Sequence, residues 1–294
     1  MGKILITGGT GLVGQHLIEK LVSKNHEVVV LSRSPKQANA FLWDIKTGYI
    51  DEKAFENVTS IIHLAGAGIA DKRWSSKRKE SIIFSRVAST KLLLQKVLEL
   101  KVPLKQFISA SGIGYYGAMT SQIIFQESDE VASDFLGNVC KKWELAATEF
   151  SSINCTTTIL RTGIVLTKKG GALEKMITPI VSPIGTGNQY LPWIHIDDLC
   201  EMYIKAVEDT SFKGVYNAVA PEHHTSKTFS KLVATCFKKP FLPFRVPAFL
   251  LKLIFGEMAV ILLEGSRISS EKVIATGFQF QYENLKHAME ELSL

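Results

Sequence analysis

Four closely spaced glycines near the start of the chain have the spacing that accommodates a diphosphate. Gly8, Gly9, Gly11 and Gly14 fit both G-x-x-G-x-x-G and G-x-G-x-x-G. The first glycines allow a tight turn, the middle one lets the backbone approach a diphosphate, and the last lets a helix pack on the preceding strand. A turn without a ligand is the alternative, since a tight turn between strand and helix also favours glycine.

The segments on both sides of these glycines favour the binding site over the bare turn. Residues 3–7 are apolar and predict a strand buried on both faces, and apolar residues recur at helical spacing from residue 12 to residue 21. A helix that begins after the turn offers free N–H groups and a positive dipole end to phosphates. Contacts to a nucleotide are therefore expected from Gly8, Thr10, Gly11, Leu12 and Val13.

The end of the second predicted strand indicates which nucleotide binds. This strand covers residues 27–31 and is followed by Ser32, Arg33 and Ser34. NAD-binding proteins usually carry an acidic residue there for the ribose 2′-hydroxyl, whereas an arginine flanked by hydroxyl groups suits a 2′-phosphate. The sequence thus favours NADP(H) over NAD(H), with a solvated loop arginine as the alternative. The position of Asp44 in the order of elements places it near the adenine.

Composition is that of an enzyme-sized globular protein. The 294 residues are 46% hydrophobic and 21% charged, and the net charge of +6 is spread along the chain without a basic block. A nucleic-acid partner is therefore not expected. The cysteines are widely spaced and lack metal-ligand grouping, which predicts reduced thiols, no metal site and a cytoplasmic protein. Because the first strand begins at residue 3, no signal peptide is expected.

One apolar segment, residues 246–263, has to be distinguished from a membrane span. Lys252 and Glu257 interrupt it, and Pro247 and Gly256 punctuate it. A span needs about 20 predominantly apolar residues. We therefore predict one or two short amphipathic helices that pack on the core or line a ligand cleft, and no membrane association.

Strand-like and helix-like segments alternate along the first half of the chain. This order predicts an α/β fold, a Rossmann-type doubly wound parallel sheet with a small C-terminal α/β substrate lobe. The nucleotide domain is predicted over residues 1–165, with strands near 193–219 returning to it, and the lobe mainly over 166–294. The predicted elements after the second strand are strand 60–65, helix 81–100, strand 107–111, helix 138–150 and strand 157–161.

A series of motifs in this order resembles the extended short-chain dehydrogenase/reductase superfamily, the NAD(P)-dependent epimerases and dehydratases. These motifs are TGGTGLVG, HLAG at 63–66, SASGIGYYG at 109–117, RTGIVL at 161–166 and WIHIDDL at 193–199. Within the superfamily the chain is most similar to the YfcH-type epimerase-like subgroup. The resemblance implies an active site between sheet and lobe, cofactor contacts from Leu64, Ala65 and Gly66, and a small-molecule substrate with a carbonyl or hydroxyl group, for which a sugar nucleotide is one candidate.

The chain departs from this superfamily at its catalytic helix. Most members use a serine together with Tyr-x-x-x-Lys, whose spacing puts both side chains on one helix face. Ser111 matches the serine, and Ser111 with Tyr115 fits the strand-end pattern. Alignment on Glu144, however, puts Leu136 and Cys140 where the tyrosine and lysine are expected. Leucine cannot transfer a proton, and a neutral thiol offers no cation.

This departure leaves two functional hypotheses open. In the first, the protein is an NADP(H)-dependent oxidoreductase or epimerase with another proton donor, and the candidate catalytic residues are Ser111, Tyr115 and Tyr116. Two rings packed under a loop are the alternative for the tyrosines. His195 is a further candidate, although such a histidine often only orders a loop, and Lys141 lies about 100° around the helix from the lysine position. In the second, the protein binds NADP(H) without turnover, as a redox sensor or regulatory partner.

Several other residues are weaker candidates for substrate contacts. Arg73 and Trp74 follow the HLAG strand and could bind an anion and stack on a ring. Gln189, Trp193 and Asn217 have a packing explanation as well. The acidic run that begins at Glu127 is interpreted as a solvated loop, and the oligomeric state, monomer or homodimer, is left open.

Overall fold

The computed structural model describes residues 2–294, which form a sheet flanked by helices and a smaller C-terminal lobe. The strands are β1 Lys3–Thr7, β2 Val28–Ser32, β3 Ala40–Asp44, β4 Tyr49–Ile50, β5 Val58–His63, β6 Gln106–Gly112, β7 Ile124–Phe125, β8 Thr156–Thr162, β9 Ile164–Leu166, β10 Trp193–His195, β11 Gly214–Ala218 and β12 Arg267–Ile268. The α-helices are α1 Leu12–Ser23, α2 Ser76–Glu99, α3 Phe135–Thr148, α4 Gly171–Met176, α5 Ile196–Glu208, α6 Ser226–Cys236, α7 Ala248–Phe255, α8 Val260–Leu263, α9 Glu271–Ile274 and α10 Leu285–Ser293.

The main sheet has the strand order β11-β8-β6-β5-β1-β2-β3-β4. Its neighbouring strands are parallel except β3 and β4, which are antiparallel. Successive strands lie on one side of β1 up to β4, and the chain then returns to β5 on the other side. Ligands of doubly wound sheets bind at such a switch point, outside the carboxyl ends of the strands. The predicted Rossmann-type fold class is confirmed.

The first strand shows why the sheet is buried on both faces. Ile4 and Ile6 pack into an apolar cluster with α1 and α5, whereas Leu5 packs into a second cluster under α2 and α3. Successive side chains of a strand point to opposite faces, so a strand covered on both sides must be continuously apolar. The glycine turn is therefore held at the edge of a rigid sheet.

Two helices begin earlier than their apolar pattern predicts, because polar caps determine where they start. The helix predicted at 81–100 begins at Ser76, where Ser75 accepts a hydrogen bond from the Arg78 amide at 3.2 Å. The helix predicted at 138–150 begins at Phe135, where Asp134 accepts one from the Gly137 amide at 2.8 Å. Such caps satisfy amide groups that the helix itself leaves free.

The C-terminal half contributes both to the main sheet and to the lobe. β11 pairs with β8 at the end of the main sheet, whereas β10 pairs with β9 in a separate two-stranded sheet. Val273 and Phe278 also pack into the main core. The lobe has its own apolar cluster, in which α6 and α10 pack around Trp193.

The apolar segment 246–263 forms two short helices, α7 and α8, joined by a 3₁₀ turn at Gly256–Ala259. Leu251 and Leu263 are buried, whereas Phe249 and Leu253 on α7 are exposed. The prediction of short amphipathic helices is correct. Within residues 2–294, no helix has both the length and the apolar character needed to cross a membrane.

Candidate cofactor and active site

The glycine turn between β1 and α1 has the geometry of an anion cradle. Gly8 has a φ of +72°, which residues with a side chain rarely adopt, and its carbonyl accepts a hydrogen bond from the Gly11 amide at 2.9 Å. A Cβ on Gly14 would lie 2.3 Å from the Gly8 oxygen. Gly11 caps α1 without a side chain, and no acidic residue occupies the first turn. The turn and the helix N-terminus therefore fit a diphosphate.

The next strand end is positioned against this turn by a series of buried hydrogen bonds. The Ala65 amide donates to Thr7 Oγ1 at 3.2 Å, and Thr7 Oγ1 lies 2.6 Å from His63 Nδ1. On the other side of the ring, His63 Nε2 lies 2.9 Å from Ser89 Oγ. Burial lowers the pKa of His63 to about 3, so the imidazole is neutral and links these hydroxyl groups. Leu64, Ala65 and Gly66 are thereby held beside the glycine turn.

The residues predicted at the adenosine end lie at the carboxyl ends of β2 and β3, on the same edge of the sheet as the turn. Ser32 is buried, and its hydroxyl accepts a hydrogen bond from the Ser34 amide at 3.2 Å. Arg33 is exposed and forms no ion pair within residues 2–294. Asp44 accepts a hydrogen bond from the Lys46 amide at 2.9 Å in a local turn. Their cofactor contacts remain a prediction.

Ser111, the predicted catalytic serine, lies on β6 and is bonded to a buried ion pair. Its hydroxyl donates to Glu144 Oε1 at 2.6 Å. The same carboxylate accepts two hydrogen bonds from Arg161, from Nε to Oε1 and from Nη2 to Oε2, both at 2.9 Å. Burial by itself lowers the pKa of the Arg161 guanidinium, but the hydrogen bonds and the charge of Glu144 raise this pKa overall. This geometry orients Ser111 rigidly toward α3.

The two candidate tyrosines follow β6 in a 3₁₀ turn and have different surroundings. The Tyr116 hydroxyl donates to Asn217 Oδ1 at 2.7 Å and accepts from Arg161 Nη1 at 2.9 Å. Burial raises the pKa of Tyr116 to about 12. Tyr115 is partly accessible, and its ring centroid lies 3.3 Å from the Arg161 guanidinium carbon. The packing alternative therefore describes Tyr116 well, whereas the hydroxyl of Tyr115 is not tied to a buried partner in the described chain.

The face of α3 toward β6 is formed by Leu136 and Cys140, the residues that the sequence predicts at the tyrosine and lysine positions. Cys140 Sγ lies 3.5 Å from the Gly112 carbonyl oxygen. Burial and the negative charge of Glu144 raise the pKa of this thiol to about 11. It is therefore a neutral thiol near pH 7 and supplies neither a cation nor a ready nucleophile.

Three residues considered as substrate contacts are fully buried and bonded within the protein. Gln189 donates to the Ile184 and Leu262 carbonyls, and Trp193 donates to the Glu222 carbonyl at 3.2 Å. Asn217 is bonded to Tyr116, as described above. The packing explanation therefore applies to Gln189, Trp193 and Asn217.

Two further sequence interpretations are refined by the structure. Glu127 is not simply solvated, because its carboxylate accepts a hydrogen bond from the Asn217 amide at 2.7 Å. His195 accepts one from the Asp197 amide at 3.2 Å and thereby caps α5, and burial lowers its pKa. It orders the start of a helix, as the alternative interpretation states.

The Arg73–Trp74 pair lies between the cofactor edge and the lobe. Trp74 donates to the Ile69 carbonyl at 2.9 Å and packs edge-on against Phe135. A Cβ on Gly256, in the lobe, would lie 3.0 Å from an Arg73 guanidinium nitrogen. Gly256 also lines an open cavity of about 430 Å³. The other lining residues are Gly185, Thr186, Ala248, Lys252, Glu257, Ala259, Val260, Leu263 and Glu264.

Two kinds of residue that shape this site received no predicted role from the sequence. Thr7 and Ser89 position the β5 end, but small hydroxyl residues in an apolar pattern carry no signal by themselves. Arg86 lies on α2 beside Gly66 and Ala67, and an arginine on the side of a helix that packs on the sheet is a signal that could have been noticed. No cluster of metal-ligating side chains occurs in residues 2–294, and all four cysteines are free thiols.

The fold and the glycine turn at the switch point of the sheet are those of a dinucleotide-binding α/β protein. The NAD dependent epimerase/dehydratase family matches residues 4–219, and a domain of unknown function, DUF1731, matches residues 246–292. The chain belongs to the NAD-dependent epimerase/dehydratase family, within the extended short-chain dehydrogenase/reductases, and the predicted resemblance is confirmed.

Relatives of similar length match the chain in sequence from end to end. The epimerase family protein SAR0825 of Staphylococcus aureus is 32% identical over 300 residues, covering 99% of both chains. The epimerase family protein YfhF of Bacillus subtilis is 33% identical over 298 residues, covering 98% of this chain and 97% of the relative. The similarity therefore extends over nearly the whole length of both chains.

Solved structures show the same fold. The human epimerase family protein SDR39U1, crystallised with NADPH, has a TM-score of 0.88 and 29% identity over 99% of both chains. A nucleoside-diphosphate sugar epimerase from Corynebacterium glutamicum has a TM-score of 0.82 and 28% identity, covering 99% of this chain and 58% of its own.

Proposed function

We propose that the protein is an NADP(H)-dependent oxidoreductase or epimerase-like enzyme that acts on a small carbonyl or hydroxyl compound. The observation that carries the choice of cofactor is Arg33, an exposed arginine without an ion pair in residues 2–294, at the end of β2 where NAD-binding proteins place a carboxylate. A 2′-phosphate would give this guanidinium a charge-assisted partner. The NADPH in the human relative's structure supports the same choice.

The chain's own residues account for binding and orientation. The glycine turn and the N-terminus of α1 would hold the diphosphate. Leu64, Ala65 and Gly66, which His63 helps to position at the end of β5, would contact the middle of the cofactor. When bound, NADPH would supply a hydride from its nicotinamide ring. Ser111 would orient a substrate oxygen, and the hydroxyl of Tyr115 would exchange a proton with it. Tyr116, bonded on both sides, would stabilise the turn that carries Tyr115.

Calorimetric titration of the purified protein with NADPH, NADH and adenosine 2′,5′-bisphosphate tests the cofactor. NADPH is expected to bind at least tenfold more tightly than NADH, which is about 1.4 kcal/mol. Arg33→Ala should remove this difference, whereas Lys53→Ala, which removes another exposed cation, should keep it. Equal affinities for NADPH and NADH in the unmodified protein would refute the proposal for NADP(H).

A second function, NADP(H) binding without turnover, is favoured by one observation. Leu136 and the neutral thiol of Cys140 replace the proton-transferring pair on α3. Under this alternative, the cofactor would report the cellular redox state to a partner. Loss of one proton-transfer route costs about 10²–10⁴ in rate, so turnover can survive it.

A screen for hydride transfer separates the two functions. Single-turnover oxidation of bound NADPH by a panel of aldehydes, ketones and sugar nucleotides, followed by absorbance, should identify at least one substrate class if the protein is an enzyme. Tyr115→Phe should then slow the reaction by about 10²-fold or more, and Tyr116→Phe should act mainly on stability. Tight NADPH binding without oxidation by any compound would favour the sensor.

A further inference from the structure

Helix α7 of the lobe is apolar on two opposite sides. Its inner side packs through Leu251, which is 7% exposed, into an apolar cluster with Leu263. Its outer side carries four exposed large apolar side chains, in two pairs that each span one helical turn. These are Phe249 and Leu253, which are 71% and 72% exposed, and Leu250 and Ile254. Because a helix that is apolar all round is normally buried, the outer side of α7 indicates a surface that a partner covers.

The segment that leads into α7 extends this apolar surface. Its backbone is fixed to the lobe, since the Leu242 amide donates to the Val181 carbonyl at 3.0 Å. The Val246 amide likewise donates to the Pro183 carbonyl at 2.8 Å. Between these two attachments, Phe244 is 79% exposed. The exposed apolar side chains of this segment and of α7 are together called the α7 patch: Leu242, Phe244, Phe249, Leu250, Leu253 and Ile254.

The charge around the α7 patch has one sign. Residues 223–256 contain six lysines and arginines but no aspartate or glutamate, and these six cations equal the net charge of +6 of the whole chain. All of them are exposed: Lys227, Lys231, Lys238, Lys239, Arg245 and Lys252. A Cβ on Gly187 would lie 3.6 Å from Lys227 Cβ and 3.8 Å from Arg245 Nε, so the cations of α6 and of the segment before α7 meet at this loop.

The carboxylates that border this basic segment are bonded elsewhere. Glu257 forms an ion pair with Lys79 on α2 at 2.5 Å, and Glu222 accepts a hydrogen bond from the Leu285 amide at 2.7 Å. Within residues 2–294, none of the six cations forms an ion pair. Their charge is therefore available to a partner.

This charge selects the kind of partner that fits the α7 patch. A second copy of the chain, docked through the same patch, would bring two sets of six cations together, and such like-charge contact opposes association. A bilayer that contains anionic lipids offers an apolar layer for the patch and negative headgroups for the cations. The segment is too short to span a bilayer, and for that reason no membrane association is expected from the sequence. A helix that lies on the surface needs no such length.

We propose that the α7 patch and the six cations around it bind the lobe to the surface of a bilayer that contains anionic lipids. Helix α7 lies in the plane of the interface, with its outer side at the boundary of headgroups and acyl chains. The cations contact the lipid phosphates around it. This binding depends neither on the cofactor nor on turnover, so it can be measured without either.

The test is flotation of the full chain with vesicles of two compositions, phosphatidylcholine alone and phosphatidylcholine with about 30% phosphatidylglycerol. The anionic vesicles are expected to bind the protein at least tenfold more tightly than the neutral ones. At about 1 M salt, where charges are screened beyond about 3 Å, this preference should disappear. Absence of binding to the anionic vesicles, or equal binding to both compositions, would overturn the proposal.

Variants with matched controls test the two parts of the surface. Leu253→Ser should weaken binding to the anionic vesicles about tenfold or more, whereas Leu98→Ser, at an exposed leucine on α2, should leave it unchanged. Lys238→Gln combined with Lys239→Gln should also weaken it about tenfold. Lys46→Gln combined with Lys53→Gln, at exposed cations outside the lobe, should bind like the unmodified protein. Equal effects of the test and control variants would contradict a role of the α7 patch.

Thermal unfolding and sedimentation without vesicles separate membrane binding from other roles of the α7 patch. Because the substituted side chains are exposed, the variants should unfold at the temperature of the unmodified protein. A dimer that dissociates in Leu253→Ser, together with no binding to anionic vesicles, would overturn the proposal and assign the patch to contact between two copies of the chain. Failure of NADPH to bind the unmodified protein would instead refute the proposed function and leave the vesicle experiment interpretable.

Discussion

The two ends of the candidate site, the glycine turn and the α3 face, are built by different means. At the glycine end, the proposed binding groups are backbone amides of the turn and of α1, and the glycines leave the space that a diphosphate would need. At the α3 end, the candidate groups are side chains: Leu136 and Cys140 occupy the positions predicted for the superfamily pair, and Arg86 on α2 packs against Trp143 on α3. Backbone groups depend on fold and glycine alone, whereas side-chain groups can be exchanged one by one. Cofactor binding can therefore persist while the chemistry changes.

The largest effect on stability is expected from removal of the buried ion pair that supports the α3 end of the site. Glu144→Gln leaves Arg161 buried without a counter-ion, and such a change costs about 3–5 kcal/mol in the free energy of unfolding. Urea denaturation measures this loss. Glu149→Gln is the matched control, since its pair with Lys91 is exposed and spans 3.9 Å, and it should change stability by less than about 1 kcal/mol. Similar losses of stability in the two variants would show that the buried ion pair contributes no more than the exposed one.

At the glycine end, an added side-chain atom should weaken nucleotide binding strongly. The Cβ of Gly14→Ala would lie 2.3 Å from the Gly8 oxygen and distort the turn. We expect at least a hundredfold weaker binding of adenosine 2′,5′-bisphosphate, about 2.8 kcal/mol. Gly112→Ala, whose Cβ would have ordinary contacts of 3.8 Å or more, should leave this affinity unchanged. Unaltered binding at Gly14→Ala would exclude the turn as the phosphate site.

The histidine between the two ends predicts a pH dependence of stability. His63 has a pKa of about 3 in the folded protein against an ordinary value of 6.5, so between these values the unfolded chain binds one more proton. Stability is therefore complete above about pH 6.5 and falls as the pH decreases, by about 1.4 kcal/mol per pH unit from this residue.

Denaturation curves between about pH 7.5 and about pH 5 measure this slope. In His63→Gln the contribution is absent, so the stability gap between the variant and the unmodified protein should narrow as the pH falls. His287→Gln, at an exposed histidine on α10, serves as control. A constant gap would contradict the neutral, buried role of His63.

The smallest effect is expected from substitution of Cys140, at the α3 end of the site. Because the pKa of Cys140 is about 11, its thiol should be chemically silent near neutral pH. Cys140→Ser should change NADPH affinity less than twofold, and iodoacetamide should modify Cys236, which is partly accessible, before Cys140. Rapid modification of Cys140, or loss of turnover in Cys140→Ser, would assign the thiol a chemical role.

The local parts of the molecule could be predicted from the sequence alone. The strand, glycine turn and helix of residues 3–23 depend on neighbours within a few positions, and their glycine spacing and apolar periodicity identify them. Arg33 could be placed because it directly follows a strand. Helix starts were predicted late at Ser76 and Phe135, since the caps Ser75 and Asp134 lie outside the apolar pattern.

The tertiary structure alone decided which distant side chains share a space. Tyr116 meets Asn217 and Arg161 because β6, β8 and β11 are neighbours in the sheet, an order that no local pattern specifies. In the same way Arg86 reaches Trp143 only because α2 packs against α3. Backbone turns are determined by residues close in sequence, whereas the partners of a buried charge are determined by packing, and so the sequence could locate the cofactor turn but not the cation opposite α3.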